Sequence, residues 1–143
     1  MLIAHVLRDK GAVVHTLPTD ATLEQAAKQL DGRKVGALVV QDAQGGIVGV
    51  LSERDLVREV SRRGAAALAD SVGAVMTRDV FTARMDETID EGLARMTDRR
   101  VRHLPVMEAG KLIGIVSIGD LVKHRIAAVE AEAAAMQAYI AAQ

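Results

Sequence analysis

The feature that most constrains this chain is an internal repeat. Sliding the sequence against itself by 66 positions (82 − 16 = 66) aligns HTLPTDATLEQAAKQL with FTARMDETIDEGLARM and places Thr16 over Thr82. After a one-residue slip, IVGVLSERDLV lies over LIGIVSIGDLV and pairs Asp55 with Asp120. Because a unit of about 50 residues buries too little surface to be stable alone, we expect the two copies to pack about a pseudo-two-fold axis and share one core.

Each copy carries the signals of a strand, a helix, two strands and a second helix. Expected strands cover residues 13–16, 36–41 and 47–51 in the first copy and residues 79–82, 102–107 and 112–116 in the second. Capping-box spacings at Thr22 and Thr88 predict the first helix of each copy, and a second helix begins near Ser52 or Ser117. The last two strands of each copy flank a tight polar turn, which predicts a hairpin.

The predicted fold class is therefore α+β (mixed αβ), with two β-α-β-β-α repeats and a long C-terminal helix. We expect a first repeat over residues 1–63, a connection over 64–71, a second repeat over 72–125 and a helical extension over 126–143. The alanine content of the connection indicates a short helical piece.

Apolar residues on the C-terminal helix alternate spacings of four and three. They are Val122, Ile126, Val129, Ala133, Met136 and Ile140. This pattern is typical of a coiled-coil seam about three heptads long. Since a lone helix cannot bury such a seam, the helix must pack on its own body or on a second chain, and we favour a homodimer.

Composition excludes several classes of function. The formal net charge is −1 and the pI is near 6.4, so no global positive field draws the chain to nucleic acid or to an anionic membrane. A single Phe and a single Tyr cannot form a base-stacking platform, and the absence of Cys removes disulfides and thiolate chemistry. With no secretory signal and no apolar run of about 20 residues, we expect a cytoplasmic protein.

The titratable residues predict neither a metal site nor an enzyme. The four histidines lack metal-ligand spacing, and the two junction serines lack the context of a catalytic nucleophile. Nothing in the sequence supplies a general base or a metal cage. Among the four histidines, only His103 is a candidate for a functional role.

The motifs GVLSERDLV, GIVSIGDLV and VRHLPV, taken in this order within the doubled pattern, resemble a cystathionine β-synthase (CBS) domain pair. The likeness runs from about Val6 to Arg125. It implies a stand-alone regulatory module that binds an adenosine-containing ligand in clefts between the repeats and often dimerises. AMP or NAD(H) is the expected ligand, ATP is also compatible, and no metal is implied.

The Ser-x-x-Asp junctions carry the candidate ligand contacts. A carboxylate, here Asp55 or Asp120, can accept hydrogen bonds from both hydroxyls of a ribose. Ser52 and Ser117 add hydroxyl groups at helix N-termini, which favour phosphate. The alternative is that each serine and aspartate only caps its helix, because this spacing is also a helix-start signature.

The two copies differ in their basic residues. The second copy has Arg102 and His103 where the first has Gly-Ala, and the resemblance implies that basic residues here reach ligand phosphates. In the first copy, Arg54 inside the junction could clamp a phosphate. We therefore rank the site with Asp120 and Arg102 above the site with Asp55 and Arg54.

The adenine slot must be aliphatic, because the chain is nearly devoid of aromatic residues. The resemblance places this slot near Thr16 and Thr82, which are weaker candidates than the aspartates. The leading hypothesis is a ligand-sensing module whose state is read by a protein target. The alternative is a structural dimerisation module without a ligand.

Overall fold

The computed structural model describes residues 1–143 and confirms the predicted α+β class. The helices are α1 (Ile3–Lys10), α2 (Leu23–Arg33), α3 (Glu53–Arg63), α4 (Val72–Val75), α5 (Ile89–Arg99) and α6 (Ile118–Ala141). The strands are β1 (Thr16–Pro18), β2 (Ala37–Gln41), β3 (Ile47–Ser52), β4 (Ala83–Arg84), β5 (His103–Glu108) and β6 (Lys111–Ser117). A 3₁₀ helix, Gly64–Ala69, follows α3 and confirms the helical piece expected in the connection.

Two three-stranded sheets repeat one topology. In the order β1-β2-β3, the first pair is parallel and the second is antiparallel, and β4-β5-β6 is built in the same way. Each antiparallel pair is irregular at the same place, after Val40 in one sheet and after Val106 in the other. The valine at this point faces Gly49 or Gly114 across the pair. The repeat seen in the sequence is thus a repeat in register and topology.

The predicted helix starts are confirmed by their hydrogen bonds. At the start of α2, the Thr22 hydroxyl accepts from the Gln25 amide at 3.1 Å, and the Gln25 side-chain carbonyl accepts from the Thr22 amide at 2.9 Å. At the start of α5, Thr88 and Glu91 make the same reciprocal pair. These side chains satisfy amide groups that the first turn of a helix leaves without partners.

The first strand of each copy lies about three residues later than predicted. The expected strands at 13–16 and 79–82 are found at Thr16–Pro18 and Ala83–Arg84. Pairing decides the position, because Thr16 faces Val39 and Ala83 faces Val106 in parallel ladders. Val13 is apolar and β-branched but 72% exposed, so its residue type misled the sequence-based placement.

Contacts divide the chain into two compact units. The first unit comprises residues 14–80 and the second comprises residues 1–13 with residues 81–143. Each unit has its own cluster of buried apolar side chains, whereas the sequence suggested one shared core. The segment that precedes each copy in sequence therefore belongs to the unit of the other copy.

These exchanged segments supply apolar side chains to both clusters. Ile3 and Val6 on α1 are fully buried in the second unit with Leu104 on β5. Val72 and Met76, at α4 and just after it, are buried in the first unit. This exchange explains how a repeat of about 50 residues obtains a sufficient core, since each copy borrows a segment from outside its own repeat.

Candidate functional site

The second junction lies where β6 ends and α6 begins. The Ser117 hydroxyl accepts from the Asp120 amide at 3.1 Å, and Asp120 Oδ2 accepts from the Ser117 amide at 2.8 Å. The capping interpretation of this spacing is therefore correct for the chain by itself. Capping uses one carboxylate oxygen, and the Asp120 side chain remains 25% exposed.

Lys10 at the end of α1 meets the same carboxylate. Its Nζ donates to Asp120 Oδ2 at 2.5 Å and to the Ile115 carbonyl at 2.9 Å. Burial raises the pKa of Asp120, but hydrogen bonds from Lys10 and Ser117 outweigh burial, so this pKa lies below its usual value. Asp120 is thus a carboxylate at neutral pH, and both Lys10 Nζ and the Ser117 amide donate to its Oδ2.

His124 gives the end of α1 a second attachment. Its Nδ1 lies 2.9 Å from the Asp120 carbonyl oxygen, and its Nε2 lies 3.0 Å from Asp9 Oδ2. Both partners accept hydrogen bonds, so only the doubly protonated imidazolium satisfies both contacts. The contact with the Asp120 carbonyl, followed by the Asp9 carboxylate, raises the pKa of His124.

Sequence reasoning missed both Lys10 and His124. Lys10 and Asp120 are 110 residues apart, and no local spacing connects them. The only signal in the sequence is that Val6 and Leu7, in front of the first copy, match Val75 and Met76, in front of the second. That match shows equivalence between the segments but not which sheet each one contacts.

The first junction has the same cap in a more closed setting. The Ser52 hydroxyl accepts from the Asp55 amide at 3.2 Å, and Asp55 Oδ2 accepts from the Ser52 amide at 3.0 Å. Arg58 donates to Asp55 Oδ1 at 2.8 Å, and the Thr77 hydroxyl lies 3.5 Å from Oδ2. Asp55 is 5% exposed. Both of its oxygens are therefore engaged within the first unit.

The basic candidates of the second copy adjoin its junction. Arg102 is exposed, and its carbonyl accepts from the Ile118 amide at 2.8 Å, which ties it to the first residue of α6. His103 faces Ser117 across the antiparallel pair. The structure therefore brings Arg102, His103, Ser117 and Asp120 together at one end of a sheet.

The first copy presents a different charge at the corresponding place. Arg54 is exposed in the first turn of α3, between Glu53 and Asp55. An open groove beside this junction is lined in part by Gly36 and Glu53. The second copy has Ile118 where the first has Glu53. A carboxylate at this helix start repels phosphate, so the first junction is less suited to an anionic ligand.

The two threonines lie away from the junctions within their sheets. Thr16 is the first residue of β1 and is partly buried. Thr82 directly precedes β4, is exposed, and its carbonyl accepts from Arg95 at 2.8 Å. In each sheet the middle strand separates these residues from the strand that carries the junction serine.

The structure contains no group of three or more residues placed to hold a metal ion. None of its helices combines the length and apolar character needed to cross a membrane.

A family model decides the relationship of the chain to known proteins. The model of the CBS domain matches residues 11–62 and again residues 72–127. The chain belongs to the CBS-domain family. CBS domains are in general regulatory modules rather than catalytic ones.

Relatives show the same pair over most of this CBS chain. It is 34% identical over 146 residues to the mitochondrial CBS domain-containing protein CBSX3 of Arabidopsis thaliana, covering 96% of this chain and 71% of CBSX3. Two longer Arabidopsis relatives, the CBS domain-containing proteins CBSCBSPB5 and CBSCBSPB1, are 30% and 29% identical, and the chain spans 21% and 23% of their length.

Solved structures share the CBS-pair fold. A CBS-domain protein from Agrobacterium tumefaciens is 44% identical with a TM-score of 0.84, over 87% of this chain and 92% of that one. A CBS-domain protein from Pyrobaculum aerophilum, solved in complex with AMP, is 25% identical with a TM-score of 0.75, over 84% of this chain and 89% of that one.

Proposed function

We propose that this CBS pair is a regulatory module that senses an adenosine nucleotide, AMP, ATP or NAD(H), and that it catalyses no reaction. The observation that carries the proposal is the second junction, where a partly exposed carboxylate stands beside a helix start and an exposed arginine. The AMP complex of the Pyrobaculum relative supports an adenosine ligand for a pair of this fold.

In the proposed complex, different residues bind the ribose and the phosphate of the ligand. Asp120 accepts from ribose hydroxyls through Oδ1, because Lys10 and the Ser117 amide both donate to Oδ2. Ser117 and the start of α6 favour a phosphate oxygen, and Arg102 with His103 supply positive charge or donors. We propose the first junction, with Ser52, Asp55 and Arg54, and the two threonines, Thr16 and Thr82, as weaker contacts.

The ligand would act through the end of α1. A ribose hydroxyl on Asp120 shares the carboxylate that holds Lys10, so occupancy of the site and the position of Lys10 are coupled. A tenfold shift between two states requires a difference in ligand affinity of only about 1.4 kcal/mol. One charge-assisted hydrogen bond supplies a free energy of that size. A protein target would read the shift.

Calorimetric titration with AMP, ATP and NAD(H) tests the proposal. Asn retains an oxygen for the helix cap but lacks the negative charge, so Asp120→Asn is expected to weaken binding about tenfold. The matched variant Asp55→Asn changes the closed junction and is expected to weaken binding by less than about threefold. Absence of binding by all three nucleotides, or equal losses in the two variants, would overturn the assignment.

The second candidate is a structural dimerisation module without a ligand. It is favoured by the observation that both junction aspartates already cap helices, and by the exposed apolar face of α6. This function predicts no nucleotide binding together with an oligomer that disappears when residues 129–143 are removed. Light scattering with and without nucleotide separates the two candidates.

We also propose a cytoplasmic location, although the relative CBSX3 is named as mitochondrial. Fractionation of cells that express the tagged full-length chain tests this location.

A further inference from the structure

The C-terminal half of α6 presents an apolar face that nothing in the chain covers. Every residue from 130 to 143 is exposed. The exposed large apolar side chains of α6 in the predicted seam are Val122, Ile126, Val129, Met136 and Ile140, with exposures between 42% and 65%. Five large apolar side chains along one helix are unusual on the surface of a chain that stays single.

The spacing assigns each seam residue to a heptad position. Val122, Val129 and Met136 fall at d, and Ile126, Ala133 and Ile140 fall at a. At 1.5 Å per residue, the six positions span about 27 Å of helix. Leu121, the only fully buried residue of α6, lies at position c. The seam therefore points away from the side of α6 that packs into the second unit.

Charges flank the seam at the positions that select orientation in a coiled coil. Lys123 and Glu130 lie at e, and Arg125 and Glu132 lie at g. In a parallel in-register pair, each g residue meets the e residue of the next heptad on the other helix. Arg125 of one copy then meets Glu130 of the other, twice by symmetry.

An antiparallel pair does not combine the same charges with the same apolar contact. An antiparallel arrangement in which all six seam residues of each helix meet the seam of the other sets Glu130 against Glu130 and Glu132 against Glu132 of the second copy. Like charges at these places repel each other. The antiparallel register that pairs Lys123 with Glu130 and Arg125 with Glu132 keeps only about four layers. Of these arrangements, only the parallel one places opposite charges beside each other and also buries all six seam residues of each helix.

We propose that the occupant of this face is α6 of a second copy, paired with it as a parallel, in-register two-stranded coiled coil through residues 122–140. Arg125 now lies 3.4 Å from Asp90 in an exposed ion pair. An exposed ion pair of this kind contributes little to stability. Arg125 can therefore leave Asp90 and pair with Glu130 of the second copy at little cost in free energy. The inference stands on α6 alone and does not depend on a nucleotide.

The absence of cysteine makes a disulfide test clean. In the proposed pair, residue 136 of one copy meets residue 136 of the other, so Met136→Cys is expected to form a disulfide-linked dimer at least about tenfold faster than Ala131→Cys. Ala131 lies at position f on the opposite side of the helix and serves as the matched control. Equal rates for the two variants would overturn the proposal.

A mixture of two variants distinguishes the orientations. In the antiparallel six-layer arrangement, residue 126 meets residue 136, whereas in the parallel arrangement they are about 15 Å apart along the axis. A mixture of Ile126→Cys with Met136→Cys is therefore expected to yield mainly the two homodimers. Preferential linkage of 126 to 136 would overturn the parallel orientation.

Charge exchange gives a second readout by sedimentation. Arg125→Glu places two acidic pairs across the seam and is expected to raise the dissociation constant of the dimer several-fold. The double variant Arg125→Glu with Glu130→Arg restores opposite charges and is expected to return the dissociation constant toward its original value. Failure of the double variant to recover any affinity would contradict the pairing of Arg125 with Glu130.

Discussion

At the scale of single residues, the same aspartate is used in two different ways in the two copies. Both Asp55 and Asp120 cap a helix through the amide of a serine three residues earlier. Asp55 is sealed by Arg58 and is 5% exposed, whereas the Asp120 side chain is 25% exposed and its ion pair reaches a different helix, α1. A structural cap and a ligand contact are compatible in the second copy, where one oxygen remains.

His124 should make stability depend on pH. Because its pKa is raised in the folded protein, protonated His124 contributes stability fully below about pH 6.5, and this contribution is lost as the pH rises through the folded pKa. The loss of unfolding free energy caused by His124→Ala should thus be larger at about pH 6 than at about pH 8.5, by less than about 1 kcal/mol. Urea unfolding at both pH values measures it.

The charges around His124 define the control for this prediction. Asp9 raises its pKa, and Lys123 opposes this increase. Asp9→Asn keeps a hydrogen-bond acceptor near Nε2 but removes the charge. In this background, the loss of unfolding free energy caused by His124→Ala should differ less between the two pH values. If the loss of unfolding free energy caused by His124→Ala were larger at high pH than at low pH, it would contradict the assignment of both ring nitrogens as donors.

Local spacing made the candidate site readable only in part. Ser117 and Asp120 could be identified because a capping box is three residues wide and its hydrogen bonds lie within one turn. Lys10 and His124 could not be linked to them, because their contacts depend on where α1 docks. Long-range docking leaves no periodic signal in a single sequence.

At the scale of elements, two strand glycines allow the exchanged segments to approach the sheets closely. A Cβ added at Gly114 would lie 2.8 Å from both methyl carbons of Leu7 on α1. At the matching Gly49, an added Cβ would collide with Met76 and lie 3.0 Å from the Thr77 carbonyl oxygen. Neither glycine has a positive φ, so the backbone conformation does not require glycine there. The reason for glycine at both positions is the lack of room for a side chain.

Alanine at either glycine should destabilise the fold. Gly114→Ala forces the buried Leu7 side chain to move, and we expect a loss of about 1–3 kcal/mol of unfolding free energy. Gly49→Ala meets backbone as well as a flexible Met76, so its loss should be similar or larger. Gly32→Ala is the control, since no atom lies within 4 Å of a Cβ built there. Losses equal to that of the control would show that the segments do not approach as described.

Elements with local signals were predicted, and those with tertiary causes were not. The helices starting at Thr22 and Thr88 and the two hairpins were predicted because capping boxes and apolar runs act over a few residues. The short strands β1 and β4 were misplaced because their extent depends on parallel pairing with a strand that follows an entire helix. Val13 illustrates the error, since its β-branched type predicts a strand that the ladder does not include.

At the scale of the whole molecule, each unit is completed by a segment from outside its own repeat. The repeat is visible in the sequence because duplicated residues keep their spacing. The exchange is not visible, since Val6 and Val75 match each other whichever unit each segment joins. The boundaries of the repeats in the sequence reflect the duplication. The boundaries of the two compact units reflect which segments pack together.

Two substitutions test the exchange in opposite directions. Ile3 lies in the predicted first repeat but is fully buried in the second unit, and Val72 lies at the start of the predicted second repeat but is fully buried in the first unit. Removing buried methyl groups leaves a cavity, so Ile3→Ala should cost about 2–5 kcal/mol, and Val72→Ala somewhat less. Hydrogen exchange by mass spectrometry should show Ile3→Ala increasing exchange mainly in β4–β6, and Val72→Ala mainly in β1–β3. Increases confined to the repeat next to each substitution in sequence would contradict the exchange.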